Sequence, residues 1–410
     1  MRHTRQLSFG KLCQEWKLVP LPEYVFLQEG PGLRRWQWTN DGMKVINVTN
    51  ILDDGSVDVN NTDRYVSLDE FKNKYDHFAV EDGDIVVASS GNTYGKMGRV
   101  NRSHLPLMMN TSVVRFHPLN RDQLHSGYLY AFLRSPLFMN QVEAFVIGSA
   151  QPNFGPSHLN RMLIPLPPFP VQRKIAAILS AYDDLIENNT RRIKILEEMA
   201  QAIYKEWFVN FRFPGHEEIK MVASELGLIP EGWEVKKLGD VIELAYGKAL
   251  KAEDRSEGPF PVYGSGGIVG YHNRPLVDGP GIIVGRKGNV GSVYWSEEDF
   301  FPIDTVFYVN TSASMFYVYY NLRAQHFFNN DAAVPGLNRG QAYRNQFLMP
   351  SHGLVKVFED LVKPFFRQLK MLALKNTNLR ATRDLLLPKL TSGEVDVEGL
   401  EIDTEGLDDE

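Results

Sequence analysis

The residues with the greatest chemical potential in this sequence lie on glycine-rich turns, and most of the reactions such turns support are ruled out by spacing. Gly264-Ser-Gly-Gly267 and Gly95-Lys96 have the flavour of a phosphate cradle, yet no Gly-x-x-x-x-Gly-Lys-Ser/Thr occurs anywhere in the chain. His77, His104, His117 and His125 show no metal-ligand spacing, and a single cysteine, Cys13, excludes any zinc site that needs two thiolates. There is no Asn/Asp-Pro-Pro-Tyr/Phe motif for methyl transfer to a base and no nucleophile elbow. Asp53, Asp54 and Asp58 leave open a metal-dependent nuclease, although acids are common in loops. What remains is a set of amide, hydroxyl and guanidinium groups on turns, which suits binding better than bond making.

Those turns belong to an internal repeat. Gly83-Asp-Ile-Val-Val-Ala-Ser-Ser-Gly-Asn-Thr-Tyr-Gly95 resembles Gly281-Ile-Ile-Val-Gly-Arg-Lys-Gly-Asn-Val-Gly291; each is an apolar strand meeting a Gly-Asn turn closed by another Gly, as in a hairpin. Asn92 and Asn289 stand 197 apart, Leu133-Arg134 and Leu322-Arg323 stand 189 apart, and Pro152/Pro335 and Pro167/Pro350 stand 183 apart. An ordered series with a shrinking offset is what two copies with different loop lengths produce. Short strands and Gly-rich turns, with a helix near Tyr128 to Gln141 or Met315 to Phe328, make each copy a mixed α and β domain.

A long helical pattern follows each copy. Val171 to Phe208 contains no Gly or Pro, and Ile175, Ile178, Tyr182, Ile186, Asn189, Ile193, Leu196, Ala200, Ile203 and Trp207 recur at threes and fours. Phe358, Leu361, Phe365, Leu369, Leu372, Asn376, Leu379, Arg383 and Leu386 form the second stripe. One narrow apolar seam on each helix predicts a coiled-coil pair. Pro364 should kink the second helix or mark its start, and Arg383 interrupts its stripe. Asn189 and Asn376 either fix the register or lie where the seam splays. A tandem repeat of domain plus helix gives both copies equivalent surroundings when the helices run antiparallel. The expected fold class is therefore α+β, two mixed α/β domains in tandem pseudo-repeat separated by two long antiparallel coiled-coil helices. The expected boundaries are 1–170 for the first domain, 171–210 for the central helix, 211–228 for a linker, 229–352 for the second domain, 353–393 for the C-terminal helix and 394–410 for an acidic tail.

Composition agrees with an ordinary globular chain. At 410 residues with 43% hydrophobic content there is length for two or three cores, and no apolar run approaches the roughly 18 residues of a membrane span. One cysteine fits a reducing cytoplasm. The net charge of -6 is misleading, because nine acidic residues and no basic ones lie between Glu394 and Glu410. Without them the body has 44 basic and 41 acidic residues, and the tail reads as a solvated, frayed end.

Three runs then carry a resemblance. Pro165-Leu-Pro-Pro-Phe-Pro-Val-Gln-Arg-Lys-Ile-Ala-Ala-Ile-Leu-Ser-Ala-Tyr-Asp-Asp-Leu-Ile-Glu-Asn-Asn189, Leu228-Ile-Pro-Glu-Gly-Trp-Glu-Val235 and Thr382-Arg-Asp-Leu-Leu-Leu-Pro-Lys-Leu-Thr-Ser-Gly-Glu394 are similar to the DNA-specificity subunits of type I restriction-modification enzymes. Gly30-Pro-Gly-Leu-Arg-Arg-Trp-Gln-Trp38 with Val45-Ile-Asn-Val-Thr-Asn-Ile51 adds to the likeness. The resemblance implies two target-recognition domains, each reading half of a split site in double-stranded DNA. It also implies two methyltransferase (M) subunits and restriction/translocase (R) subunits as partners. No cofactor is expected in this chain; S-adenosylmethionine, ATP and Mg are expected in the partners. On this reading the chain is cytoplasmic, contacts no membrane and specifies without catalysing.

Base edges in the major groove are read by Arg, Lys, Asn, Gln and Ser side chains. The candidate readers are Arg34, Arg35, Ser90, Asn92, Tyr94, Lys96, Gln151 and Asn153 in the first domain. In the second they are Tyr263, Ser265, His272, Arg274, Arg286, Lys287, Asn289, Asn338 and Arg339. Plainer readings stand beside these. Asn92 and Asn289 serve equally as turn formers, Arg34 and Arg35 as solvated charges, and Trp36 and Trp38 as core or edge packing. The functional alternatives are a specificity protein of another restriction class, the nuclease above, and a coiled-coil scaffold that binds no DNA.

Overall fold

Short apolar runs punctuated by glycine form strands in both halves of the chain. The structure is a computed structural model that describes residues 12–62, 64–91, 94–146, 153–327 and 336–406. Ahead of the first long helix come β1 (Lys17–Pro20), β2 (Val25–Glu29), β3 (Met43–Ile46), β4 (Tyr65–Val66), β5 (Ile85–Ala88), β6 (Met97–Arg99), β7 (Met108–Met109), β8 (Val113–Pro118) and β9 (Leu163–Leu166). After it come β10 (Met221–Ser224), β11 (Gly227–Pro230), β12 (Glu234–Lys237), β13 (Ile242–Tyr246), β14 (Phe260–Gly264), β15 (Gly267–His272), β16 (Gly281–Gly285), β17 (Val293–Ser296), β18 (Phe301–Pro302), β19 (Val306–Thr311) and β20 (Gln346–Met349). The helices that matter below are α1 (Ser126–Arg134), α2 (Pro136–Val146), α3 (Phe169–Tyr204), α4 (Met315–Ala324) and α5 (His352–Ser392).

The chain divides into two compact units, Met1–Glu187 with Thr377–Glu410, and Asn188–Asn376. Their topologies match strand for strand. The four-stranded sheet has the order β2-β8-β5-β6 in the first unit and β13-β19-β16-β17 in the second. A smaller sheet has the order β4-β3-β7 and β15-β14-β18, with β3–β7 and β14–β18 parallel. β1 pairs β9 as β12 pairs β20, while the β10–β11 hairpin has no partner in the series.

The unbroken apolar runs of β5 and β16 follow from covered faces. Ile85 and Val87 enter one core cluster while Val86 and Ala88 enter another, the period of two that a strand imposes. Ile282 and Val284 are separated from Ile283 in the same way. Gly91, Gly95, Gly288 and Gly291 supply the left-handed positions of the two connecting turns, with φ of 73, 82, 76 and 79°. Asn289 is not in that region, so the turn-forming role proposed for it belongs to the glycines; Asn92 lies outside the described residues. The single helix expected from Tyr128 to Gln141 is two, broken at Ser135, whose backbone is extended because the residue before proline leaves the helical region. Within them the repeat extends to hydrogen bonds. Tyr128 donates to the carbonyl of Pro165 at 2.8 Å, and Tyr317 donates to that of Leu348 at 2.5 Å. Burial pushes both phenols well up, so they remain neutral donors.

The long helices pair antiparallel within each unit. In the first, Ile175 and Leu179 of α3 share a core with Leu387 and Leu390 of α5, and Asp183 receives Arg383 and Arg134, each at 2.6 Å. In the second, Asn189 donates to Asn376 at 2.9 Å and Asn376 donates to Thr190 at 3.1 Å, while Trp207 meets Phe358. Asn189 and Asn376 are both buried, which favours the register reading over a splayed seam. Three expectations change. Helix α5 runs unbroken through Pro364 and begins at His352, so the proline does not mark its start. Leu361 is 40% exposed and Val362 takes its place on the buried stripe, because α5 turns its face slightly relative to a strict repeat. The acidic tail is not frayed over its described length. Val395 and Val397 pack on the first unit's core, and the carbonyls of Glu398 and Thr404 accept from Lys174 and Arg173.

Candidate nucleic-acid interface

In both four-stranded sheets one end gathers the loops that carry the candidate readers. There β2 or β13 finishes, β8 or β19 begins, and β5 or β16 runs into its glycine turn. Chain positions far apart are thereby brought onto one rim.

In the second unit this rim forms a cleft of about 420 Å³ lined by Tyr246, Arg286, Lys287, Gly336, Leu337, Asn338, Arg339 and Gly340. The isolated bridge between Lys287 and Gly336, together with the bond from the Leu337 amide to the Arg286 carbonyl at 2.7 Å, ties the two loops together. Arg286 lies 5.2 Å from the centroid of the Tyr246 ring and Arg339 lies 5.1 Å from it. Two half-buried guanidinium groups thus share one aromatic ring, and Arg339 also donates to the Leu244 carbonyl at 3.4 Å. The Nε of Arg286 is buried and makes no hydrogen bond. Asn338 caps the short helix Arg339–Ala342 by accepting from the Gln341 amide at 3.1 Å. Lys287 and Asn289 are exposed. Four predicted readers, Arg286, Lys287, Asn338 and Arg339, therefore meet in one place. Tyr246 was missed; only the pairing of its strand with Phe307 brings it under Arg286, and no local pattern announces that.

The other second-unit candidates divide. Tyr263 is 6% exposed, packs edge-on against Phe300 and has its phenol pushed up by burial, so it is core and not a reader. The Ser265 carbonyl accepts from Ser292 and Tyr294, which braces the β14–β15 turn. His272 is half-buried and accepts from the Ser256 amide at 3.1 Å. Arg274 is exposed. None of these four lines the cleft.

The first unit's rim is built differently. Ser90 forms an isolated bridge with Asn153, the counterpart of Lys287 with Gly336, while Gln151 lies outside the described residues. Tyr94 packs edge-on against Phe154, and burial, then Glu143, raises its phenol. Lys96 pairs with Asp53 at 2.8 Å. Tyr94 and Lys96 line a second pocket, of about 450 Å³, with Asp53, Asp54, Tyr130, Arg134, Arg383 and Asp384 among its walls. Its charges are of both signs, so it lacks the cationic character of the second unit's cleft. Arg34 and Arg35 are exposed. Trp38 is half-buried against the core of Met43, Val45, Val66, Phe71 and Met108, as expected of packing, whereas Trp36 is 77% exposed and packs in no core.

The acids offered as nuclease ligands are engaged locally. Asp54 accepts from the Ser56 amide and hydroxyl, Asp58 accepts from the Asn60 and Asn61 amides, and Asp53 holds Lys96. Among the described residues no group of three or more His, Cys, Asp or Glu is placed to hold a metal ion, and no helix is long and apolar enough to cross a membrane.

Comparison with known proteins gives the family of the chain. The family model for the type I restriction modification DNA specificity domain matches residues 23–198 and 230–341, more than half of the chain. The chain belongs to this family. As a type I specificity chain it is a DNA-recognition component of a restriction-modification system and acts with other subunits of that system. It is 27% identical over 333 residues to the MjaIX specificity subunit of Methanocaldococcus jannaschii, covering 74% of this chain and 76% of that one. With the EcoKI specificity subunit of Escherichia coli it is 26% identical over 207 residues, 48% of this chain and 43% of the other. The crystal structure of a type I S subunit from M. genitalium shares the fold, with a TM-score of 0.57 at 20% identity over 93% of this chain and 98% of that one. These relatives are recognition subunits, so the specificity chain is a non-catalytic member of its system.

Proposed function

We propose that this specificity chain reads a bipartite site in double-stranded DNA, one half through each unit, and directs adenine methylation or cleavage by its partners. Two methyltransferase subunits and restriction/translocase subunits are the partners, and S-adenosylmethionine, ATP and Mg belong to their chemistry. A cytoplasmic location follows from that role.

The observation that carries the reading is duplication of the fold with divergence at the rim. The β13 terminus puts Tyr246 opposite Phe307, and the matching β2 terminus puts Glu29 opposite Val114. Where one unit has an aromatic ring under two guanidinium groups, the other has a carboxylate, whose Oε1 accepts from the Ser112 amide. One scaffold with two different rims suits two different half-sites. Linking two modest affinities in one chain also raises the whole. A domain graft tests this: replacing residues 1–165 by the corresponding segment of a relative changes one half of the methylated site. Change in both halves, or in neither, refutes modular reading.

A further inference from the structure

Trp36 is the exposed tryptophan of this chain that the recognition reading leaves unused, and its setting is rigid. It sits in the middle of the 3-10 turn Arg35–Gln37, at 77% exposure. Large aromatic side chains are seldom left in water without a use, since burying one is worth several times the energy of most polar contacts. The turn beneath it is pinned from three sides. Gln37 is 6% exposed; its Oε1 accepts from the Arg34 amide at 2.8 Å, and its Nε2 donates to Glu70 and to the Tyr75 hydroxyl, both at 2.8 Å. Trp38 packs on the neighbouring core and carries Arg64 over its ring at 5.4 Å. Upstream, the Gly30 amide donates to Val113 and the Pro31 carbonyl accepts from Thr111, and a Cβ at Gly30 would meet the Asn110 carbonyl at 2.2 Å. The pedestal therefore leaves the sheet at the rim where, in the other unit, Tyr246 and Arg286 lie.

Charge indicates the occupant. Arg34 and Arg35, the two residues that precede Trp36 in the chain, are both exposed. A protein partner's apolar socket would not favour two cations beside the ring, whereas a nucleic acid offers phosphates beside stacked bases. We propose that Trp36 is a stacking wedge: it inserts against a base step of the first half-site while Arg34 and Arg35 hold the flanking phosphates. This rests on the DNA-reading function above and adds to it a non-hydrogen-bonding element, sensitive to how readily a step unstacks.

The test uses the full chain assembled with its methyltransferase partner, on a duplex carrying the site found by methylation sequencing, with 2-aminopurine scanned through the first half-site. The expected result is a rise in fluorescence at one step with the wild-type chain. Trp36→Ala should abolish that rise and weaken binding roughly 10- to 100-fold, the range for losing one aromatic stack, with an unchanged salt slope. Trp36→Phe should restore part of both. An unchanged thermal midpoint for Trp36→Ala would confirm an intact fold, as its exposure implies. If Trp36→Ala binds and unstacks like the wild type, the wedge is refuted while the DNA reading survives. If it instead loses the methyltransferase, Trp36 is a protein contact and the proposal is equally refuted. A wild-type complex that binds no duplex would overturn the DNA reading itself.

Discussion

Arg286 and Arg339 make a sharper pair than either would make alone, because Tyr246 lies under both and fixes the direction in which they present their donors. If each of Arg286 and Lys287 contacts a phosphate, replacing both by Ala weakens DNA binding and flattens its salt dependence by up to about two units. A titration across salt concentrations checks this, and an unchanged slope places both residues away from the backbone. Tyr246→Ala removes no charge, so it should lower affinity with little change of slope. Legibility at this scale was partial. Cations and amides beside glycine turns stand out in the sequence, and Arg286, Lys287, Asn338 and Arg339 do meet. Tyr263 reads as a candidate from its place beside Gly264 and Ser265, but β14 is buried almost throughout. Trp36 was misjudged in the other direction, since aromatic type alone says packing and only Gln37's three bonds turn it outward.

The seam of the paired helices is polar at two levels, and each level yields a test. Asn376→Ala leaves the buried Asn189 amide without its acceptor and should cost about 1–3 kcal/mol in a denaturant titration. Replacing both asparagines by Leu should recover most of that loss, at the expense of register specificity. Asp183→Asn leaves Arg134 without its anion and Arg383 with Asp384 alone; since Asp183 is about a third exposed, the cost should stay near 1–2 kcal/mol and shrink in high salt. A salt-independent loss would contradict an ionic role. The helices themselves were legible from their threes and fours. Pro364 and Arg383 looked like faults because a stripe shows positions and not partners: the proline is carried within α5, and the arginine finds Asp183 on α3.

Across the whole molecule the repeat is the most informative feature, and sequence offsets alone expose it. Matching buried tyrosines show how deep it runs. Tyr128→Phe strands the buried Pro165 carbonyl and Tyr317→Phe takes the donor from the half-buried Leu348 carbonyl, and each should lower stability by about 1–2 kcal/mol in thermal unfolding. Unequal losses would mean that the two cores are not equivalent. The acidic tail was misjudged because charge count outweighs two valines in any composition argument, while Val395 and Val397 decide the packing. The central claim is that duplication of the scaffold with divergent rims gives two independent readers. Sequencing methylated adenines in cells that carry the complete system, with residues 1–165 of this chain grafted from a relative, tests it most directly. The account predicts a site with one half altered and the other retained; a site altered in both halves, or in neither, would contradict it.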